Sequence, residues 1–114
     1  MRWFAALGET ELFLSVLVIG EIRRGIENLR RRDPIQAGNL DRKLAATEAL
    51  MAGRILPITQ AIAERWGYLN ARDPLPVIDS LLAATALEHG LILVTRNVKD
   101  VERTGVRLLN PFCA

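Results

Sequence analysis

The strongest constraint on the fold lies in residues 75–112, where a helix leads directly into a short apolar strand. Residues 78–89 have a helical pattern and are followed by Gly90, a residue typical of the position just after a helix. Residues 91–95 then form an apolar run of strand length, which is typical of a strand buried on both faces. Other elements must cover both sides of such a strand.

The rest of the chain continues this alternation of strands and helices. Helices are predicted at residues 18–31, 40–51 and 59–71, and strands at residues 12–17, 55–58 and 106–109. Residues 2–7 have the pattern of the last turns of a helix. Because there is no hairpin signal and no internal repeat, we predict one α/β domain over residues 1–114 with a mainly parallel sheet. Sites in such sheets form beyond the carboxyl ends of the strands.

Composition narrows the class of protein. Half of the 114 residues are hydrophobic and a quarter are charged, as in ordinary globular domains. No apolar run approaches the roughly 20 residues of a membrane span, and the first residues do not form a signal peptide. The single cysteine, Cys113, cannot form an internal disulfide. We therefore expect a cytoplasmic protein with no membrane partner.

Arginine dominates the basic residues. Thirteen of the 15 basic side chains are arginine, and five of them fall between residues 23 and 32. The planar guanidinium suits phosphate and carboxylate groups. A solvated helix face explains such a run equally well, and the net charge of +2 does not by itself indicate nucleic-acid binding.

Asp79 is the most informative single residue. It shares one face of the predicted helix with Leu82, Ala83 and Ala86, so its carboxylate points towards the interior. A buried carboxylate is costly unless it is paired or bound to a metal. We therefore expect a cationic group near Asp79. The alternative is a charge that the helix dipole favours at the first turn.

Glu21 has a similar position in the predicted helix 18–31. It lies beside the apolar stripe rather than opposite it. A functional carboxylate and a simple ion pair with Arg23 or Arg24 are equally consistent with this spacing.

Polar residues also follow the predicted strand 91–95, at the end where parallel sheets carry their functional loops. Asp100 is a further candidate acid, although it could equally cap a turn at residues 101–102. Thr95 and Asn97 offer neutral oxygens that can orient a metal-bound water. Oxygen ligands without a histidine or cysteine cluster select Mg²⁺ or Mn²⁺ over zinc.

Four segments together resemble the PIN-domain family, and within it the VapC and FitB-type toxins of toxin–antitoxin pairs. The segments are SVLVIGEIRRGIE, GRILPI, PLPVIDSLLAATALEHGLILVTRNVKD and GVRLLNPF, and the similarity covers roughly residues 12–112. Each segment is modest alone, but their order and spacing match those of the family.

The resemblance implies a metal-dependent endoribonuclease with a three-layer fold, in which a parallel sheet is flanked by helices. Four acids of the family hold Mg²⁺ or Mn²⁺, which activates a water to cleave RNA. Glu21 matches the helix glutamate and Asp79 the aspartate at the start of a helix. Where many members have a last aspartate this chain has Asn97, and Asp100 is the candidate to replace it. The family also implies a homodimer and an antitoxin that covers the acidic groove.

Three arginines are candidate contacts to RNA phosphates on the same resemblance. They are Arg23, Arg24 and Arg96.

The N-terminus departs from the family pattern. Family members open with a central strand that carries a metal-binding aspartate and is followed by a helix. This chain resembles the family only from within the second family helix, at residues 2–4, and no aspartate precedes Asp33, so we expect that central strand and first helix to be missing. We therefore expect this chain alone to be a weak nuclease or an inactive one, and a form with that segment added to cleave RNA. The alternatives are a PIN-like module that only binds an antitoxin or dimerises, and an unrelated α/β domain that binds an anion through residues 23–32.

Overall fold

The computed structural model describes residues 2–5 and 12–110, and in these residues strands alternate with helices. The elements are β1 (Trp3–Ala5), β2 (Leu12–Ser15), α1 (Val16–Arg30), α2 (Pro34–Leu50), β3 (Ile55–Leu56), α3 (Gln60–Asn70), α4 (Val77–His89), β4 (Ile92–Val94), α5 (Val98–Val101) and β5 (Leu108–Leu109). A single 3₁₀ turn, Glu102–Thr104, follows α5. Across these described ranges, no helix combines the length and the apolar character needed to cross a membrane.

The five strands form one mixed sheet in the order β3-β2-β1-β4-β5. The pairs β2–β3 and β4–β5 are parallel, while β1 runs antiparallel to both of its neighbours. Phe4 is opposite Phe13 on one side and Leu93 on the other. The predicted α/β class is confirmed, and the sheet differs from a mainly parallel one because of the direction of β1.

β1 corrects the helix predicted at residues 2–7. Residues 3–5 are a strand, and residues 6 and 7 lie outside the described residues. Trp3 and Phe4 are aromatic residues that favour strands as readily as they fit an apolar helix face. β1 occupies the central position of the sheet, where the resemblance implied a missing strand, because it gives hydrogen-bonding partners to the facing edges of both β2 and β4. Pairing with distant strands therefore decided the conformation of this segment.

The main core lies around the central strand. Phe4 has no exposed surface and packs in one cluster with Leu14, Leu82 and Leu93. Helix α4 is apolar on most of its sides, and its alanines at 83, 84 and 86 are fully buried. A smaller cluster joins α1 to α2 through Ile26, Ala37 and Leu44.

Capping residues determine where the helices begin. Asp33 accepts a hydrogen bond of 3.1 Å from the Gln36 N–H, and Pro34 is the first residue of α2. The helix predicted at residues 40–51 therefore starts six residues earlier, because proline breaks one helix but also favours the first position of the next. The Ser15 hydroxyl accepts from the Leu17 N–H at 3.1 Å, so α1 starts at Val16 and β2 ends earlier than predicted. The Thr59 hydroxyl accepts a hydrogen bond of 3.2 Å from the Ile62 N–H, so Thr59 caps α3 and the helix predicted at residues 59–71 begins at Gln60.

Gly90 connects α4 directly to the strand that follows. Its φ of 65° is left-handed, and the Leu91 N–H donates to the Ala86 carbonyl at 2.9 Å. A second bond runs from the Gly90 N–H to the Leu87 carbonyl at 3.4 Å. These two bonds form a Schellman motif, which confirms Gly90 as the end of the helix.

Gly90→Ala should lower the free energy of unfolding by about 1–2 kcal/mol, because a Cβ is unfavourable in the left-handed region. Gly67→Ala is the matched control, since Gly67 is exposed within α3 and a Cβ there would meet nothing within 4 Å. That change should raise stability by about 0.5–1 kcal/mol. Urea unfolding of both variants measures the difference. Equal effects of the two substitutions would contradict the role assigned to Gly90.

Candidate active site at the carboxyl ends of β2 and β4

The topology of the sheet brings three chain segments to one edge. β2 runs into α1 at this edge, and β4 runs into the loop of residues 95–97. Because β1 is antiparallel to both strands, its amino end lies beside their carboxyl ends. Arg2, directly before β1, therefore reaches the edge at which α/β sheets carry their sites.

Arg2 joins the two candidate acids of α1 and α4. Its Nη1 donates a hydrogen bond of 2.6 Å to Asp79 Oδ1, and its Nη2 donates to Glu21 Oε1. The exposed fractions of the side chains are 21% for Arg2, 12% for Asp79 and 39% for Glu21. A guanidinium presents several donors in a fixed plane, which lets one cation bridge two carboxylates.

Asp79 is buried in the first turn of α4, as its position on the apolar face predicted. The cation that we expected near it is present, and it is Arg2. Burial works against the charged form of Arg2, but the hydrogen bonds to Glu21 and Asp79 outweigh it and raise the pKa of the guanidinium. The ion pair with Arg2 therefore offsets the free-energy cost of burying the Asp79 carboxylate. The first-turn position adds a favourable interaction with the helix dipole.

The loop after β4 is organised by Thr95. This residue is buried, and its hydroxyl accepts a hydrogen bond of 3.0 Å from the Asn97 N–H. Asn97 is exposed and precedes α5, and the Asp100 N–H donates to its carbonyl at 3.2 Å. The Thr95 oxygen thus holds the loop rather than pointing into open space.

Asp100 lies apart from the acid pair. It is exposed on α5 and lines a surface depression with Arg96, Asn97 and Lys99. Arg2 and Glu21 line a different depression. The structure brings Glu21 and Asp79 together through Arg2, and Asp100 forms no group of three acids with them in the described part of the chain. The alternative role of Asp100 as a cap is not seen either, since the 3₁₀ turn that follows has no side-chain cap.

A divalent cation fits the described residues only in part. Carboxylate oxygens such as those of Glu21 and Asp79 suit a hard ion. Within residues 2–5 and 12–110, however, no three His, Cys, Asp or Glu side chains form a group that could hold a metal. The guanidinium of Arg2 also contacts both acids. At this site the described residues supply two acids, Glu21 and Asp79, and one cation, Arg2, whereas the family resemblance implies four acids.

Arg23 belongs to an ion-pair network between α1 and α2. It donates to Glu27 at 3.3 Å and to Asp41, and Arg30 also contacts both acids. Hydrogen bonds from Arg30 and Arg23 lower the pKa of Asp41. The pKa of Glu27 is also lowered, mainly by its hydrogen bonds with Arg30. The network gives Arg23 and Arg30 a structural role.

The other two arginines predicted to contact RNA are exposed. Arg24 lies on α1 one turn beyond Glu21, and Arg96 lies in the loop after β4.

The fold and the acid pair define an α/β domain with a carboxylate site at the edge of its sheet. Residues 1–106 match the PIN domain family model, and the chain belongs to the PIN-domain family. The resemblance seen in the sequence is thereby confirmed.

Similar proteins include named ribonucleases and toxins. The chain is 26% identical over 119 residues to the VapC ribonuclease Y4jK of Sinorhizobium fredii, which covers 98% of this chain and 83% of that protein. It is 25% identical over 119 residues to the toxin FitB of Neisseria gonorrhoeae, covering 98% and 84% of the two chains. The crystal structure of FitAcB from Neisseria gonorrhoeae superposes with a TM-score of 0.83 and 26% identity, over 90% of this chain and 76% of that one.

Sequence reasoning missed Arg2 as a site residue. Burial of Asp79 was a sufficient signal that a cation should be near. Arg2 was not identified as this cation because residues 2–7 were predicted to be a helix. Only the strand conformation of β1 carries Arg2 to the edge of the sheet.

Arg2→Gln should lower the free energy of unfolding by about 2 kcal/mol, because it leaves the buried Asp79 carboxylate without its cation. The matched control is Arg65→Gln, which removes a more exposed pair with Glu88 at 3.0 Å. That loss should cost less than about 1 kcal/mol. Urea unfolding at neutral pH compares the two variants, and equal losses would argue against a supporting role for Arg2.

Proposed function

We propose that this chain is the toxin of a toxin–antitoxin pair and an endoribonuclease that hydrolyses RNA phosphodiester bonds with water and Mg²⁺ or Mn²⁺. Membership of the PIN-domain family and the ribonuclease and toxin names of its relatives support the nuclease class. One observation carries the site assignment. Glu21 and Asp79, from two different helices, converge closely enough for one guanidinium to contact both.

In this proposal Glu21 and Asp79 are the primary acids of the site. Their oxygens are of the kind that hard divalent ions prefer. Asn97 and Asp100 follow the neighbouring strand and line a separate depression, so they are candidates for a contact to RNA rather than to an ion held by Glu21 and Asp79. Arg24 and Arg96 are the candidates for binding phosphates, since both are exposed. An RNA substrate of this kind also places the protein in the cytoplasm.

Only weak cleavage is expected from the 114-residue chain. The described residues group two acids rather than four, and Arg2 already neutralises part of their charge. Fewer anionic ligands hold a divalent ion less tightly, so a high concentration of the ion is needed for activity.

The nuclease proposal predicts cleavage of a fluorescently labelled single-stranded RNA in Mn²⁺ that EDTA abolishes. Asp79→Asn should reduce the rate at least about tenfold, because it removes a primary acid. Glu88→Gln is the matched control, since it removes an acid from the same helix at a surface ion pair. Its rate should equal that of the unchanged protein. Absence of cleavage, or cleavage that survives both EDTA and Asp79→Asn, would contradict the nuclease assignment.

A second candidate function is a binding module that has the PIN fold without catalysis. The contact of Arg2 with both acids favours it, because a neutralised pair is a poor cation site. The similarity to the toxin FitB of Neisseria gonorrhoeae supports an antitoxin as the partner. The family resemblance adds a homodimer to both candidates.

The binding assignment predicts a complex with the protein encoded by the adjacent reading frame. Co-purification followed by light scattering should give a stable complex and, for this chain alone, the mass of a dimer. Asp79→Asn should leave dimer formation unchanged, because Asp79 is buried against Arg2 within one chain. A monomeric chain that forms no complex would contradict the toxin–antitoxin proposal.

A further inference from the structure

We propose that Arg2 is an internal counterion that competes with a divalent cation for Glu21 and Asp79, and that the guanidinium keeps this site closed to the ion. The inference deepens the proposed function and rests on it for the class of ion that the acid pair takes. It adds an autoinhibitory contact within the chain itself.

The geometry of the contact indicates that Arg2 and an ion would compete for the same space. Two different nitrogens of one guanidinium contact the two acids, Nη1 with Asp79 Oδ1 at 2.6 Å and Nη2 with Glu21 Oε1. The guanidinium therefore lies between the two carboxylates. An ion held by both Glu21 and Asp79 would need the space that the guanidinium fills.

The charges of Arg2 and of the two acids also favour competition with a divalent cation. Glu21 and Asp79 together contribute two negative charges, and Arg2 contributes one positive charge in direct contact with both. A divalent cation at the same place would repel the guanidinium strongly, because the Coulomb energy is large at contact distance in a partly buried site. The two cations therefore exclude each other by charge as well as by volume.

The fold holds the backbone of Arg2 at the edge of the sheet beside the acid pair and leaves part of its side chain exposed to solvent. The adjoining strand β1 is anchored by hydrogen bonds to β2 and β4 and by the fully buried Phe4. Arg2 precedes this strand, and its side chain keeps 21% of its surface exposed. Rotation of one side chain towards solvent opens the pair, and no strand has to leave the sheet.

A purely structural role for Arg2 makes a different prediction. If the guanidinium only supports the buried Asp79, its removal weakens the fold and gives the acid pair no greater affinity for a metal. The two roles therefore differ in cation affinity rather than in stability.

The test measures Mn²⁺ binding by the 114-residue chain without RNA, from the electron paramagnetic resonance signal of free Mn²⁺. Arg2→Gln should bind Mn²⁺ at least about tenfold more tightly than the unchanged protein. Arg32→Gln is the matched control, because it removes the same charge from an exposed position after α1. Its affinity should equal that of the unchanged protein. The double variant Arg2→Gln/Asp79→Asn should lose the gain.

Equal or weaker binding by Arg2→Gln would overturn the proposal, and so would a gain that survives Asp79→Asn. If circular dichroism shows that Arg2→Gln does not fold, Arg2→Met replaces it, because methionine keeps an unbranched apolar stem and removes the charge. This variant should also bind Mn²⁺ more tightly than the unchanged protein, and an unchanged affinity would overturn the proposal.

The result is separate from that of the nuclease assay. Tighter Mn²⁺ binding by Arg2→Gln without RNA cleavage would support the counterion and contradict the nuclease. Cleavage that depends on Asp79, with no difference in Mn²⁺ affinity between the unchanged protein and Arg2→Gln, would support the nuclease and overturn the counterion.

Discussion

The pairing of β1 with two neighbours is the interaction on which the rest of the structure depends. The parallel pairs β2–β3 and β4–β5 are joined in one sheet through this strand of three residues. Its central side chain, Phe4, is fully buried between them and contributes to the same core as Leu14 and Leu93. Truncation of a buried phenylalanine costs about 3–5 kcal/mol, a large fraction of the stability of a small domain. A very short segment therefore holds the two halves of the sheet together.

The direction of β1 links this packing to the site. A strand parallel to its neighbours would bring its last residues to the carboxyl edge of the sheet. Because β1 is antiparallel, its first residues lie there instead, and Arg2 is the side chain that reaches Glu21 and Asp79. The same pairing that completes the sheet thus determines that a cation, rather than a further acid, meets the acid pair.

Local signals in the sequence account for the parts that could be predicted. The helix before Gly90 was predicted to within one residue, because a left-handed glycine and an apolar face leave few alternatives. Burial of Asp79 and the need for a cation beside it followed from the position of a charge on that apolar face.

The start of α2 was missed because a proline is found both after the end of one helix and at the first position of the next. β1 was missed because three residues have no periodicity, and its conformation depends on strands far away in the chain. The grouping of Asp79 with Glu21 but not with Asp100 depends on the packing of segments that are distant in the chain, which spacing alone does not reveal.

Arg2 places stability and function in opposition at one residue. Asp79 retains only 12% of its side-chain surface in contact with solvent, so the folded chain needs a positive charge beside it. A protein cation meets this need at once and without regard to the concentration of metal. A metal ion could meet it equally well, but only after the guanidinium has left and only at a sufficient concentration. The contact that best supports the buried carboxylate is therefore also the contact that limits its use as a ligand. Such a compromise is common at functional sites, where a buried charge is kept because its chemistry is needed. In the function proposed here, the cation that occupies the acid pair, guanidinium or metal ion, decides whether the domain acts as a binding module or as a nuclease.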